Sequence, residues 1–184
     1  MEKMSSAKFK AVFSLLLVSA AFALAGFFLY FGPFLMGIGG EPYATGFRIA
    51  LDFKRNIIGQ DGNIAALAIA MFFTLISGIR TLGETLTFYL IRIGKIRNPR
   101  EAKSYEEKKA FFISDFLSGL LRLACGIAVF FVVRMTKLDN VTLGLAAIFS
   151  GVCSTISALV YISQGIVRYL FPRPKPSPVE ETEE

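Results

Sequence analysis

Four ionisable residues stand inside long apolar runs of this sequence: Arg80 and Glu84 in residues 64–91, and Asp115 and Arg122 in residues 110–133. Charge in such surroundings has two uses. It can line a path for an ion, a proton or a small anion, or it can close on itself as a hydrogen-bonded brace that fixes helix register. Arg80 and Glu84 are four residues apart, so they can pair on one helix face. Asp115 and Arg122 are two turns apart, too far for an easy direct bond, and Arg122 is expected to reach toward Glu84. The four charges sum to zero, which favours the brace. Arginine partners hold both acids ionised and hinder a proton relay, and no ring of one sign appears.

Polar residues extend the pattern. Ser150, Ser154, Ser157, Tyr161 and Gln164 follow steps of four, three, four and three, the repeat of one helix face. Asp115, Ser118, Arg122 and Cys125 do the same, and Ser77, Arg80 or Thr81, Glu84 and Thr87 share a third face. All three stripes are expected to point into a helix bundle. Gly144, Ala147, Gly151, Ala158 and Gly165 give the last run a face of small residues. Such faces let membrane helices approach closely, within one chain or against a partner.

The elements that position these residues follow from composition. Charged residues are 18% and hydrophobic residues 54% of the 184, against roughly 25% and 45–50% in soluble domains. Residues 11–40 and 140–167 carry no charge. Each run exceeds the ~20 residues that cross a bilayer as a helix, and the alternation of a membrane barrel is absent. The expected fold is all-α: a polytopic membrane protein with four transmembrane helices in an antiparallel bundle, spanning about 10–36, 63–93, 107–134 and 140–170. Residues 1–9 precede this domain of 10–171. A proline-rich, then acidic tail follows at 172–184, expected to be extended and disordered.

Along the helix axis, Arg80 lies about 18 Å and Glu84 about 12 Å from Arg92, while Asp115 lies about 9 Å and Arg122 about 20 Å from Lys109. An arginine layer near mid-membrane and a carboxylate layer nearer one surface are therefore expected, between spans two and three.

The net charge of +6 has an explanation in topology, without nucleic acid. Lys3, Lys8 and Lys10 precede the first span, Arg92, Lys95, Arg97, Arg100, Lys103, Lys108 and Lys109 join the second to the third, and Arg168, Arg173 and Lys175 follow the fourth. The opposite side holds only Arg48, Lys54, Arg55, Arg134 and Lys137. The positive-inside rule places both termini in the cytoplasm, in a plasma or inner membrane. The apolar run after Lys10 continues through Phe31, too long for a cleaved signal, and is expected to remain as a span. Phe47–Ile58 has helical rhythm and suits a short amphipathic helix at the interface in the first external loop. Asp61 or Asn63, the pair Ser104 and Glu107, and Asp139 or Asn140 are positioned to cap the later spans.

Cys125 and Cys153 are the only cysteines and there is no histidine. A disulfide framework, the usual zinc sites and His-ligated haem are thereby removed. No phosphate loop, nucleotide fingerprint or metalloprotease motif occurs, so no enzyme and no cofactor are expected. The sequence suits a non-catalytic integral membrane subunit or scaffold of a larger complex, partnered by lipid, by other membrane subunits or by copies of itself. The alternative is a homo-oligomeric channel or transporter for an ion or small solute.

Overall fold

The structure is a computed structural model that describes residues 6–52, 64–96 and 105–170, with side chains from 109 to 169 in the last segment. Helix dominates. Among the described residues, four helices are long and apolar enough to cross a membrane: Ser6–Phe31, Ala65–Arg92, Lys109–Phe130 and Leu145–Tyr169. They belong to α1 (Ser6–Phe28, prolonged by a 3-10 turn, Leu29–Phe31), α3 (Ala65–Arg92), α4 (Tyr105–Phe130) and α6 (Leu145–Leu170). Between them lie β1 (Pro33–Gly37), β2 (Pro42–Thr45), α2 (Gly46–Ala50), α5 (Val132–Thr136) and β3 (Val141–Leu143).

The long helices form a ring in which α1 packs on α3 and α6, and α4 packs on α3 and α6. Chain direction follows from which residues meet. Ser19 bonds Ser157 and Gly26 accepts from Ser150, so α1 and α6 are antiparallel. Phe9 stacks on Phe88 while Gly78 faces Ala23, so α1 and α3 are antiparallel too. Gly119 faces Ile162 and Gly126 faces Thr155, which sets α4 against α6 in the same sense. The α4–α6 contact is the most extensive and the α3–α4 contact the loosest of the four.

Burial is inverted relative to a water-soluble bundle. Exposed positions include Phe72, Ile76 and Ile79 of α3, Leu117 and Ile127 of α4, and Leu159 and Ile166 of α6. Buried positions include Ser19, Thr74, Ser77, Thr81, Asp115, Arg122, Ser154, Ser157 and Gln164. In water such a surface would be an aggregation liability. In hydrocarbon, apolar side chains have nothing to gain by burial and the polar ones do.

Among the described residues, three short strands depart from an all-α fold. After the turn Leu29–Phe31, Gly32 and Pro33 end the first span at Phe31 and not near residue 36, because proline cannot continue a helix. The chain instead extends as β1, the centre of an antiparallel sheet ordered β2-β1-β3. Leu35 pairs with Ala44 on one side and Leu143 on the other. The β1–β2 turn uses Gly40 at a φ of 77°, a conformation suited to glycine. The sheet closes one end of the bundle over a core of Tyr30, Phe34, Leu35, Ile49, Leu67, Met71, Val129 and Val132. Strand β3 also displaces the start of the fourth span to Leu145, so Asp139 and Asn140 do not cap it; they lie in the turn before β3, where Asn140 has a φ of 66°.

Of the segment expected at the interface, the described part is α2, capped by Thr45, whose Oγ1 accepts from the Arg48 amide at 3.2 Å. It buries Ile49 and Ala50, with Phe47 stacked on Phe31. The rest of that segment, the caps Asp61, Asn63 and Ser104, and the tail 172–184 lie outside the described residues.

Candidate functional site

The middle of the bundle is polar, and each helix contributes in its own way. On α3 the hydroxyls of Thr74, Thr81 and Thr85 each donate to the carbonyl four residues back at 2.7 Å, and Ser77 to that of Thr74 at 3.0 Å. Such back-bonding satisfies a hydroxyl without a second helix. Between α1 and α6 the bonding is reciprocal. Ser19 Oγ donates to the Ser157 carbonyl at 2.9 Å, and Ser157 Oγ donates to the Ser19 carbonyl at 2.8 Å. Ser150 Oγ donates to the Gly26 carbonyl at 2.8 Å.

Arg122 of α4 enters this centre and is only 3% exposed. Its guanidinium donates to Ser19 Oγ and to the Ser77 carbonyl, both at 3.4 Å. These bonds are long by ordinary standards. The closer contact is with the Tyr161 ring, whose centroid is 3.8 Å from the guanidinium carbon. A planar cation on a ring face is attracted by the ring quadrupole, the more so when both are dry.

Tyr161 also links the cation to the acids. Its hydroxyl lies 3.3 Å from Glu84 Oε2 and 3.5 Å from Asp115 Oδ1. One proton serves two carboxylates, so the phenol donates to one at a time. Glu84 Oε1 accepts from Arg80 Nε at 3.1 Å, and Asp115 Oδ2 from the Tyr169 hydroxyl at 3.3 Å. Two guanidinium groups and two carboxylates are thereby strung together through one tyrosine.

The four charges expected to cluster thus lie on α3 and α4, but α6 stands between them through Tyr161. Arg122 takes the Tyr161 ring and not a straight bond to Glu84. Arg80 departs further: its side chain is 49% exposed against 16% for Glu84, so it lies on the outer surface of α3 instead of inside. The inward positions are Ser77, Thr81 and Thr85. Ser19, Thr74, Thr85 and Tyr169 join the centre without having been singled out by spacing. Ser19 could have been found as one of the few polar residues in the middle of the first span, and Tyr169 as the hydroxyl two turns beyond Tyr161.

The seam of α6 points inward along its length, with Ser150, Ser154, Ser157, Tyr161 and Gln164 all buried. Gln164 has no hydrogen-bond partner for either amide atom among the described residues. The small-residue face is consumed inside the chain. A Cβ on Gly144 would strike the Pro33 carbonyl, and one on Gly151 would lie 2.7 Å from the Phe130 ring. Ala147 and Ala158 are fully buried, and Gly165 stands against Asp115. Cys125 and Cys153 are free thiols.

Thr74, Ser77, Arg122, Ser154 and Ser157 border a cavity with about 10 Å³ for the centre of a water molecule, room for roughly one water. Arg122 Nε and Ser154 Oγ have no partner among the described residues and offer it donors. Thr74, Ser77 and Ser157 have given their protons to carbonyls and keep only lone pairs. Mixed donors and acceptors suit water; a halide would meet the lone pairs unfavourably. No protein-family model, no curated protein and no solved structure matches this chain.

Tyr161→Phe separates the ring from the hydroxyl. It keeps the face on Arg122 and removes the proton shared by Glu84 and Asp115. The expected loss is about 1 kcal/mol, typical of an interhelical hydrogen bond in a membrane. Thermal unfolding in detergent measures it, and Tyr161→Leu is expected to lose more.

Proposed function

We propose that this chain is a non-catalytic integral membrane subunit or scaffold of a larger membrane complex, embedded in a plasma or inner membrane. Both termini and the basic 92–109 connection face the cytoplasm, and the sheet caps the bundle on the opposite side. The distribution of Lys and Arg supports this orientation. The network of buried Asp115, Tyr161 and Arg122 with Glu84 and, on the outer surface, Arg80 serves as a brace, holding three helices in register.

The observation that carries the proposal is the way Arg122 is engaged. A conducting site offers an ion ligands that it can take and leave. Here the guanidinium is covered by the Tyr161 ring, and the acids are tied to Arg80, Tyr161 and Tyr169. The adjoining cavity is water-sized and its donor set is wrong for an anion.

A homo-oligomeric channel or transporter is the second reading, and the exposure of Arg80 at mid-span favours it, since an oligomer would repeat that charge around an axis. Two measurements separate them. Purified chain in liposomes is expected to give no flux of ions above that of empty vesicles, while tagged chain extracted from its membrane retains other membrane proteins. Flux that Arg80→Ala or Glu84→Ala changes without altering stability would overturn the subunit reading.

A further inference from the structure

Arg80 is attached to its own chain through one nitrogen only. Nε donates to Glu84 Oε1 at 3.1 Å, and the two terminal nitrogens have no partner among the described residues. The side chain is half exposed. It lies about 18 Å from the Arg92 end of α3 and about 22 Å from the Ala65 end, well beyond what a snorkelling side chain spans. A guanidinium with open donors in hydrocarbon is costly, and none of the described residues supplies the missing acceptor, which points to one outside this chain.

The face around it suits close approach by a helix. A Cβ on Gly83 would have nothing within 4 Å. Thr87 is four residues on, and Ile76 is exposed on the same side. Small residues four apart let two backbones come near. The face also carries both signs: donors on Arg80 and, one turn away, a carboxylate on Glu84 that is not fully covered. It is therefore its own complement.

Resting on the subunit reading above, we infer that α3 docks a second copy of this chain. The two copies are related by a two-fold axis along the membrane normal, with Gly83 at the crossing and Arg80 of each copy reaching Glu84 of the other. Such an isologous contact is closed and electrically neutral. The small-residue face of α6 is already occupied within the chain, which leaves α3 as the helix with an open close-approach position beside a mid-span charge.

The test uses the full chain in lipid vesicles, in a Cys125→Ala, Cys153→Ala background whose helix content matches the native chain. Gly83→Cys and Thr87→Cys are each expected to cross-link to twice the chain mass under mild oxidant. Ile127→Cys, exposed on α4, is expected to remain single. Adding Arg80→Ala to Thr87→Cys is expected to reduce the dimer roughly tenfold, the scale of a membrane-buried polar contact, with unchanged helix content; Arg80→Lys restores part of it. Cysteines at 83 and 87 that stay single, link to a different protein, or link regardless of residue 80 would overturn the inference. If other membrane proteins still co-purify with a single chain, only the dimer fails; if a cross-linked dimer conducts ions, only the subunit reading fails.

Discussion

Arg122→Leu is expected to lower the stability of the folded bundle by about 3 kcal/mol, the scale seen when one member of a buried charge set is removed. The direction follows from what stays behind. Asp115 is 2% exposed and sits on the same side of Tyr161 as Glu84. Without Arg122, two carboxylates at the bundle centre lose the buried guanidinium beside them, and Arg80, whose ion pair is with Glu84, lies on the outer surface of α3. Arg122→Lys is expected to recover a minor part. A lysine keeps the charge but lacks the planar face that lies on Tyr161, and its ammonium holds hydration more strongly. Unfolding in mixed detergent gives the free energies, and helix content by circular dichroism shows that the spans still form.

Gly144→Val is expected to be as damaging for a purely steric reason, at about 3 kcal/mol. The Gly144 amide donates to the Phe34 carbonyl at 2.8 Å, and a Cβ there would strike the Pro33 carbonyl. That obstacle is backbone and has no rotamer by which to yield. The chain must either push β1 off the start of α6 or lose the β1–β3 pairing, and both open the core under the sheet. Gly83→Ala provides the contrast. A Cβ at Gly83 has open space around it, and alanine in a helix interior is favoured over glycine by roughly 0.5–1 kcal/mol. In detergent at concentrations that keep the chain single, Gly83→Ala is expected to leave melting unchanged or raise it. Equal losses at both positions would mean that α6 does not meet β1 as described.

The four spans were legible because hydrocarbon imposes a coarse rule: about 20 residues without unpaired charge. The inward direction of Asp115, Arg122 and the α6 seam was legible because periodicity alone sets it. The sheet was not. Pro33–Gly37 and Val141–Leu143 are short apolar runs continuous with charge-free spans, and nothing in their spacing separates a strand from more helix. Their pairing joins Leu35 to Leu143 across α2, α3, α4 and α5, a distance that no local signal reports. Arg80 was misplaced by one helical step. Ser77, Glu84 and Thr87 bracket it, yet the buried face runs through Ser77, Thr81 and Thr85 at intervals of four, and Arg80 is 100° of helix away from Thr81. The role of Tyr161 was hidden for a different reason. Matching charges by sign and depth selects ions, and an aromatic ring that takes a cation on its face and gives a proton to two acids belongs to neither sign.

The central claim is that the intramembrane charges act as one structural unit. The coupling free energy between Arg122→Leu and Asp115→Leu tests it most directly, obtained from the unfolding free energies of the native chain, the two single variants and the double variant. The account predicts that the double variant is less damaged than the sum of the singles, by about 1 kcal/mol or more. Single-variant losses that add to within about 0.5 kcal/mol would contradict it, since the arginine and the aspartate would then be bearing on the fold independently.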